Sequence, residues 1–205
     1  NDVHLRIGQH ELAADPARSL AVARGIVACK IRNGRTLLRR NAEGITATEL
    51  FHLEQLARKA ASADDPATLL GIEGAAGHAY FAGFGRMLKG PDERLRAFDF
   101  ERRNRRPPID RINALLSLSY SMLVKELTVT LANAGLDPLL GVYPRPRFGR
   151  PGLALDLMEE MRPVIADSVV LQLVNTGAVD PDDFVVHAGK SVGLKPGGRR
   201  KVIAA

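Results

Sequence analysis

The sequence predicts a mainly α-helical fold, on three observations. Helix-start signals recur, because Asp15-Pro16 and Asp65-Pro66 each place an N-cap residue before a proline at the first helical position. The segment Thr46-Ala47-Thr48-Glu49 is a capping box, a further signal of a helix start. Apolar residues then recur at spacings of three and four, and alternation typical of a convincing sheet is missing.

Composition and charge favour a globular protein with a polyanionic partner. The chain has 205 residues, 45% of them hydrophobic, enough for one sizeable domain or two small ones. The net charge of +6 favours nucleic acid as a partner. Cys29 is the single cysteine, which rules out an internal disulfide framework and fits a reducing, cytoplasmic compartment. No apolar run long enough for a bilayer and no signal peptide are visible, so no membrane partner is expected.

The first boundary is expected near residue 15. Residues 1–14 alternate weakly and predict a strand or extended linker, whereas residues 15–205 predict one helical domain. The first helix of that domain begins after Asp15, and Gly34 is expected to end it. A second short helix is expected over residues 36–41.

The helix predicted from residue 67 to about residue 87 contains five glycines and a carboxylate. Each glycine costs up to about 1 kcal/mol relative to alanine, so close approach of another helix or of a DNA backbone is expected to compensate. Glu73 lies in an apolar part of this segment. Because burying an unpaired carboxylate is costly, Glu73 requires an arginine, a proton or a metal ion as its partner.

A basic loop and a long helix follow. The loop over residues 89–108 includes Arg105 and Arg106, and is interpreted either as a phosphate-tracking segment or as a solvated connector. Asp110 is the predicted N-cap of a helix that runs to about residue 134. Tyr120 lies off the apolar stripe of this helix and is a candidate to present its hydroxyl to a site.

The stretch after the long helix combines a basic loop with an acidic helix. Arg145, Arg147 and Arg150 are separated by prolines and glycines, which exclude a long helix there. Asp156 and Glu159 follow three residues apart, so they share one helical face. Cations beside paired carboxylates suit a phosphodiester held against a divalent metal ion. A solvated acidic face beside a surface loop has the same pattern, and both interpretations stay open.

The rest of the chain predicts one more helix and a short strand. Pro163 starts or kinks the helix, and Gly177 ends it. Residues 184–186 favour a short strand, and the C-terminal end is basic.

Sequence segments spread over nearly the whole chain point to one family. In order, they are Lys30-Ile31-Arg32-Asn33, Leu37-Leu38-Arg39-Arg40, Leu70-Gly71-Ile72-Glu73-Gly74, Tyr80-Phe81, Arg106-Pro107-Pro108, Asn113-Ala114-Leu115-Leu116-Ser117, Tyr120, Gly135-Leu136-Asp137-Pro138, Gly149-Arg150-Pro151 and Leu153-Ala154-Leu155-Asp156-Leu157-Met158-Glu159-Glu160. Together they resemble the C-terminal helical domain of CRISPR-associated protein one, the integrase of spacer acquisition in antiviral defence. The family's β-rich N-terminal domain is expected to be absent from this chain.

The resemblance implies a metal-dependent DNA endonuclease and integrase. In that family the 3′-hydroxyl of a prespacer attacks a phosphodiester of the CRISPR repeat, and the resemblance implies Mg²⁺ or Mn²⁺ as cofactor. It places Glu73 and Glu159 as metal ligands and catalytic residues, with Asp156 one turn earlier as a supporting acid. The family's metal-binding histidine falls on Pro144, which has no metal-binding side chain.

The resemblance also implies partners and a DNA surface. The partners are prespacer and repeat DNA, a second copy of the chain, and CRISPR-associated protein two. The residues expected to bind DNA are Arg145, Arg147, Arg150, Arg105, Arg106 and Tyr120. Because of Pro144, a non-catalytic DNA-binding or assembly subunit stays open as an alternative. A third alternative is a helical protein with acid–arginine pairs in place of a metal.

Overall fold

The prediction of a mainly helical fold is confirmed. The computed structural model describes residues 3–104, 107–143 and 149–205. Its helices and strands are α1 (Val3–Ala14), α2 (Pro16–Asn41), α3 (Ala47–Ala61), α4 (Pro66–Phe84), α5 (Asp92–Leu95), α6 (Arg111–Asn133), α7 (Gly152–Met161), α8 (Ser168–Asn175), β1 (Phe184–Val186), β2 (Val192–Leu194) and α9 (Pro196–Ile203). Short 3₁₀ turns cover Gly85–Met87, Arg96–Phe98 and Pro181–Asp183, and a π-helical turn, Arg162–Asp167, joins α7 to α8.

Helix α2 is the element around which the others pack. It contacts α3, α4 and α7 along its length. Its buried face includes Val27, Ile31 and Leu38, which are 0–4% exposed. Burial of such a side chain stabilises the fold by roughly 1.5–3 kcal/mol, so this face accounts for much of the helix packing.

The expected helix end at Gly34, with a separate helix over residues 36–41, is wrong. Helix α2 continues without a break to Asn41, and Gly34 is buried inside it. A Cβ atom at this position would lie 3.1 Å from Cδ2 of Tyr80 on α4. Gly34 therefore marks the close approach of two helices, and that role cannot be distinguished from a helix stop in sequence alone.

Helix α4 follows the prediction, but its glycines do not share one role. Gly83 does allow close packing, because a Cβ atom there would lie 2.9 Å from Cδ2 of Leu38. Added Cβ atoms at Gly71, Gly74 and Gly77 would meet no atom within 4 Å. Helix packing therefore explains Gly83, whereas the other three face open space.

The strand or linker expected for residues 1–14 is wrong from Val3 onward, because these residues form helix α1. The alternation that suggested a strand covers few residues, and the helix is held instead by polar contacts with the segment that follows α6. Arg6 Nε donates to the carbonyl oxygen of Gly135 at 2.9 Å. Gln9 donates to the carbonyl oxygens of Asp137 and Leu140 and accepts from the Asp137 N–H, at 2.8–3.0 Å.

The loop expected over residues 89–108 is partly helical. It contains α5 and the 3₁₀ turn Arg96–Phe98. Phe98 is fully buried and meets the ring of Phe184 edge-on, with centroids 5.9 Å apart. A buried aromatic side chain anchors this connection to the core, which a loop assignment from charge does not capture.

Helix α6 begins and ends close to the predicted residues. Asp110 accepts the N–H of Asn113 at 2.6 Å, as expected of the N-cap. In the described part of the chain, α6 is the one helix that is long and apolar enough to cross a membrane. Ile112, Leu115 and Leu116 in its first half are fully buried in the protein core. A core position accounts for the apolar composition of these residues, and α6 is weak evidence for a membrane span.

The C-terminal part forms a small hairpin and a helix. The predicted strand at residues 184–186 is confirmed as β1, and it pairs antiparallel with β2 so that Phe184 opposes Leu194. The predicted kink at Pro163 lies in the π-helical turn. Helix α9 was not predicted. Its side chain Val202 is 3% exposed and packs into the core.

Candidate metal and DNA site

A cavity of about 730 Å³ lies among helices α2, α4, α6 and α7. Charged side chains of both signs line it, among them Lys30, Glu73 and Glu159. Gly74 and Gly77 line it as well, so the open space in front of these glycines belongs to the cavity. A backbone or a ligand can therefore approach α4 closely beside the charged groups.

Glu73 and Glu159 converge on a single cation, the ammonium group of Lys30. Lys30 Nζ lies 2.5 Å from Glu73 Oε1 and 2.5 Å from Glu159 Oε2. The two carboxylates come from α4 and α7, and the ammonium comes from α2. The structure thus brings together the two residues expected to bind a metal ion, and it places a positive charge between them.

The outer oxygens of the carboxylate pair have partners of their own. The hydroxyl of Tyr143 donates to Glu73 Oε2 at 2.9 Å. Arg162, three residues after Glu159, places its Nη2 atom 2.9 Å from Glu159 Oε1. Glu159 Oε2 is buried and accepts no hydrogen bond, although it is within ion-pair distance of Lys30. Its contact at this position is thus the Lys30 ammonium rather than a hydrogen-bond donor with regular geometry.

The electrostatics of the cluster are balanced and partly desolvated. Lys30, Glu73, Glu159 and Arg162 have side chains that are 16–19% exposed, and their formal charges sum to zero. Burial raises the pKa of the Glu73 carboxyl, but the Lys30 ammonium and the Tyr143 hydroxyl outweigh burial, so this pKa lies below its ordinary value. Glu73 is therefore an anion at neutral pH.

Lys30 was missed as a site residue because the helix was expected to end just after it. Lys30 lies three residues after Val27 and four before Gly34, both buried. A cation on the buried face of an amphipathic helix is the signal that would have identified it. Asn33, on the next turn, donates to the Glu160 carbonyl oxygen at 2.8 Å and so fixes α2 against α7.

Asp156 lines the same cavity and holds the chain segment before α7. Its Oδ2 atom accepts the N–H groups of Val142 and Tyr143 at 2.6 and 3.0 Å. Burial raises the pKa of Asp156 to about 6 despite these two hydrogen bonds. An added Cβ at Gly141 would lie 2.6 Å from the same carboxylate oxygen, so only glycine fits beside it. Asp156 therefore positions Tyr143, which in turn holds Glu73.

Tyr120 uses its hydroxyl inside the protein. It donates to Asp167 Oδ1 at 2.7 Å, and Tyr80 donates to Asp167 Oδ2 at 2.7 Å. The guanidinium carbons of Arg162 and Arg103 lie 4.8 and 5.3 Å from the centroid of the Tyr120 ring. Tyr120 is thus a platform for Arg162, the partner of Glu159. Asp167 and Tyr80 were not among the predicted site residues.

The burial of Asp167 makes the stability of the fold depend on pH. Asp167 is 1% exposed, and burial raises its pKa from 3.8 to about 6 although both tyrosines lower it. The folded protein therefore holds this proton more tightly than the unfolded chain does. Its stabilising contribution is fully present below pH 4 and is lost as the pH rises through about 6.

Among the predicted DNA-binding arginines, the structure places Arg150 at the edge of the cavity, where it is exposed. Arg102 and Arg103, which precede the predicted Arg105 and Arg106 in sequence, also line the cavity. The remaining predicted positions, Arg105, Arg106, Pro144, Arg145 and Arg147, lie outside the described residues.

The residues present fit a divalent cation held by two carboxylates. Glu73 and Glu159 already meet at one position of positive charge, where each presents a carboxylate oxygen to the same ammonium group. Carboxylate oxygens are the ligands that hard divalent cations prefer. Over residues 3–104, 107–143 and 149–205, no three His, Cys, Asp or Glu side chains are grouped as a metal site. Water would therefore complete the coordination of a bound ion.

Comparison with known sequences points to one family. Residues 1–205 match the family described as CRISPR associated protein Cas1. A CRISPR-associated exonuclease Cas4/endonuclease Cas1 fusion from Rhodospirillum rubrum is 50% identical over 204 residues, covering 98% of this chain and 35% of the relative. CRISPR-associated endonuclease Cas1 1 from Moorella thermoacetica is 41% identical over 216 residues, covering 100% of this chain and 61% of the relative. The chain thus spans about one third to three fifths of these relatives.

Solved structures share the fold over the whole chain. A casposase bound to integration product superposes with a TM-score of 0.86 at 25% identity, covering 100% of this chain and 56% of the casposase chain. A CAS1 protein from Thermotoga maritima gives 0.85 at 27% identity, with 100% and 62% covered. A chain of a Cas6-RT-Cas1–Cas2 complex gives 0.85 at 30% identity, with 100% and 22% covered.

Proposed function

The chain belongs to the Cas1 family, and from that premise we propose that it is the helical catalytic part of a metal-dependent DNA integrase and endonuclease. The proposed reaction inserts prespacer DNA into a CRISPR array. A 3′-hydroxyl oxygen attacks a phosphodiester phosphorus of the repeat, one P–O bond forms, and the bond to the leaving 3′-oxygen breaks. The proposed setting is the cytoplasm, in antiviral defence.

The observation that carries the proposal is the meeting of Glu73 and Glu159 at one cation position. Two anionic side chains from different helices converge on Lys30 Nζ at 2.5 Å each, inside a cavity that is open to a ligand. Isolated surface ion pairs do not require such convergence. A divalent ion bound to these carboxylates, Mg²⁺ or Mn²⁺, would polarise the scissile phosphate and stabilise the leaving oxygen.

The protein's own groups hold this pair in place. Tyr143 donates to Glu73 and fixes its outer oxygen, while Arg162 pairs with Glu159 and rests on the Tyr120 ring. Asp156 accepts the backbone N–H of Tyr143 and so supports the pair indirectly. Preorganised ligands need little rearrangement when the ion binds, which favours tight and correctly oriented binding.

The proposed DNA path runs along the cavity past Arg150, with Arg102 and Arg103 on another part of its lining. Arginine pairs bidentately with phosphate, and the glycine face of α4 allows close approach of a backbone. Arg105, Arg106, Arg145 and Arg147 extend the proposed basic surface by sequence. A homodimer bridged by CRISPR-associated protein two is the proposed assembly, consistent with the Cas1–Cas2 complex that shares this fold.

A second candidate is a non-catalytic DNA-binding or assembly subunit. It is favoured by Pro144, because the resemblance to the family implies a metal-binding histidine at this position. Loss of one ligand lowers metal affinity, although water can fill the vacant position. The two candidates differ in one property, strand transfer by the intact protein.

The test is a strand-transfer assay on the intact protein with Mn²⁺, prespacer DNA and a supercoiled plasmid carrying the repeat. The variants are Glu73→Gln and the matched control Glu54→Gln. Glu54 also pairs with cations of α2, but it lies outside the carboxylate pair. We expect joined product from the wild type and from Glu54→Gln, and a loss of about 10³-fold or more from Glu73→Gln.

The outcomes separate the candidates. No joining by the wild type would reject the integrase and favour the assembly subunit, and restored joining after Pro144→His would strengthen that conclusion. Equal joining by the wild type and Glu73→Gln would show that the carboxylate pair does not serve the reaction.

A further inference from the structure

Lys30 occupies the position between two carboxylates that a divalent cation would require. Its ammonium lies 2.5 Å from an oxygen of each carboxylate, closer than any other described cation to both at once. An ion bound jointly by Glu73 and Glu159 needs oxygen ligands at about 2.0–2.6 Å. The ammonium and such an ion therefore cannot share this position.

The charge balance leads to the same conclusion. The four side chains of the cluster, Lys30, Glu73, Glu159 and Arg162, are neutral in sum and only 16–19% exposed. A divalent ion added to this set would leave a net charge of +2 in a partly desolvated space. Repulsion between the ion and the nearby ammonium is strong where screening by water is limited.

We propose that Lys30 is a resident counter-ion that holds the Glu73–Glu159 pair together without metal and must be displaced when a divalent cation binds. Metal loading is thus an exchange of one cation for another. This inference rests on the proposed function, because it concerns the cation site of the same carboxylates.

The cavity provides a place for the displaced side chain. Lysine carries its charge on a flexible four-carbon stem, so the ammonium can move several ångströms while α2 stays fixed. Lys30 itself lines the cavity of about 730 Å³, and Arg150 is another of its lining residues. Once displaced into this space, the ammonium faces the proposed DNA path and can contact a phosphate oxygen. The exchange therefore couples metal loading to a cation that becomes available to DNA.

The test measures Mn²⁺ binding by isothermal titration calorimetry without DNA, in the wild type and in Lys30→Met. Methionine keeps much of the lysine stem and removes the charge. The matched control is Arg35→Met, which removes a cation from the same helix that lies near Glu54. We expect Mn²⁺ to bind Lys30→Met at least about tenfold more tightly than the wild type, and Arg35→Met to match the wild type.

Three outcomes decide the matter. Tighter binding in Lys30→Met supports the exchange. Unchanged or weaker binding in that variant, with normal binding by the wild type, overturns the exchange and leaves the metal-dependent function standing. If neither the wild type nor Lys30→Met binds Mn²⁺, the exchange and the metal-dependent function are both overturned.

A second measurement keeps the inference testable if Lys30→Met does not fold. Wild-type protein is acetylated briefly with and without Mn²⁺, and labelling of each lysine is quantified by mass spectrometry. Lys125 is exposed and serves as the internal control. We expect labelling of Lys30 to rise at least about threefold with Mn²⁺ while Lys125 stays constant, because an ion-paired and partly buried amine reacts slowly. Equal or lower labelling of Lys30 with Mn²⁺ would overturn the exchange.

Discussion

Replacing Asp156 with alanine should destabilise the protein through the backbone that Asp156 holds. The substitution leaves the N–H groups of Val142 and Tyr143, which the carboxylate accepts at 2.6 and 3.0 Å, without their partner. Each unsatisfied buried donor costs about 1–3 kcal/mol, so Asp156→Ala should lower the free energy of unfolding by about 2–6 kcal/mol. Asp156→Asn keeps a side-chain oxygen, and its cost should be about 2 kcal/mol or less.

The assay combines urea unfolding with Mn²⁺ titration of the folded variants. Because Tyr143 holds Glu73, Asp156→Ala should also weaken Mn²⁺ binding, by about 10–100-fold as expected for an outer-shell partner. Asp156→Asn should keep Mn²⁺ affinity within about tenfold of the wild type. If Asp156→Asn folds with wild-type stability but binds no Mn²⁺, Asp156 is a direct ligand and the positioning role is wrong.

Three further predictions concern stability. Asp167→Asn should remove a pH dependence: the wild type's free energy of unfolding, relative to the variant's, should fall by about 2 kcal/mol as pH rises from 4 to 7, since burial raises the Asp167 pKa to about 6. Urea unfolding at each pH tests this, and a pH-independent difference would refute it. Gly141→Ala should cost about 1–3 kcal/mol, because its Cβ would lie 2.6 Å from the Gly152 carbonyl carbon; an unchanged Tm would contradict this close approach. Phe98→Ala should cost about 3–5 kcal/mol, measured by urea unfolding, and a loss below about 1 kcal/mol would show that the connection before α6 is not anchored by this ring.

Helix starts were predictable because their chemistry is local. Asp15, Asp65 and Asp110 each accept N–H groups of the turn that follows, and Thr46 makes the expected capping box. A side chain that satisfies nearby donors can be recognised from a few residues of sequence. The continuation of α2 through Gly34 was not predictable in this way. Its glycine is required by a tyrosine 46 residues away on another helix, which no local pattern contains.

The candidate site divides along the same line. The sequence predicted that Glu73 needs an arginine, a proton or a metal ion, because the apolar segment around this carboxylate is visible in the sequence. Its partner Lys30 lies 43 residues earlier, and the pairing depends on how α2 and α4 pack. Tyr143 and Asp167 depend likewise on contacts between distant segments. Residue types could thus be predicted, whereas the pairing between them required the fold.

The central claim is that the Glu73 and Glu159 carboxylates jointly bind one divalent cation. Crystals of the intact protein soaked in Mn²⁺ test it through anomalous diffraction at the manganese edge. We predict a single peak within about 2.0–2.6 Å of an oxygen from each carboxylate. A peak bound to only one of the two residues, or the absence of any peak near them in fully soaked crystals, would contradict the claim.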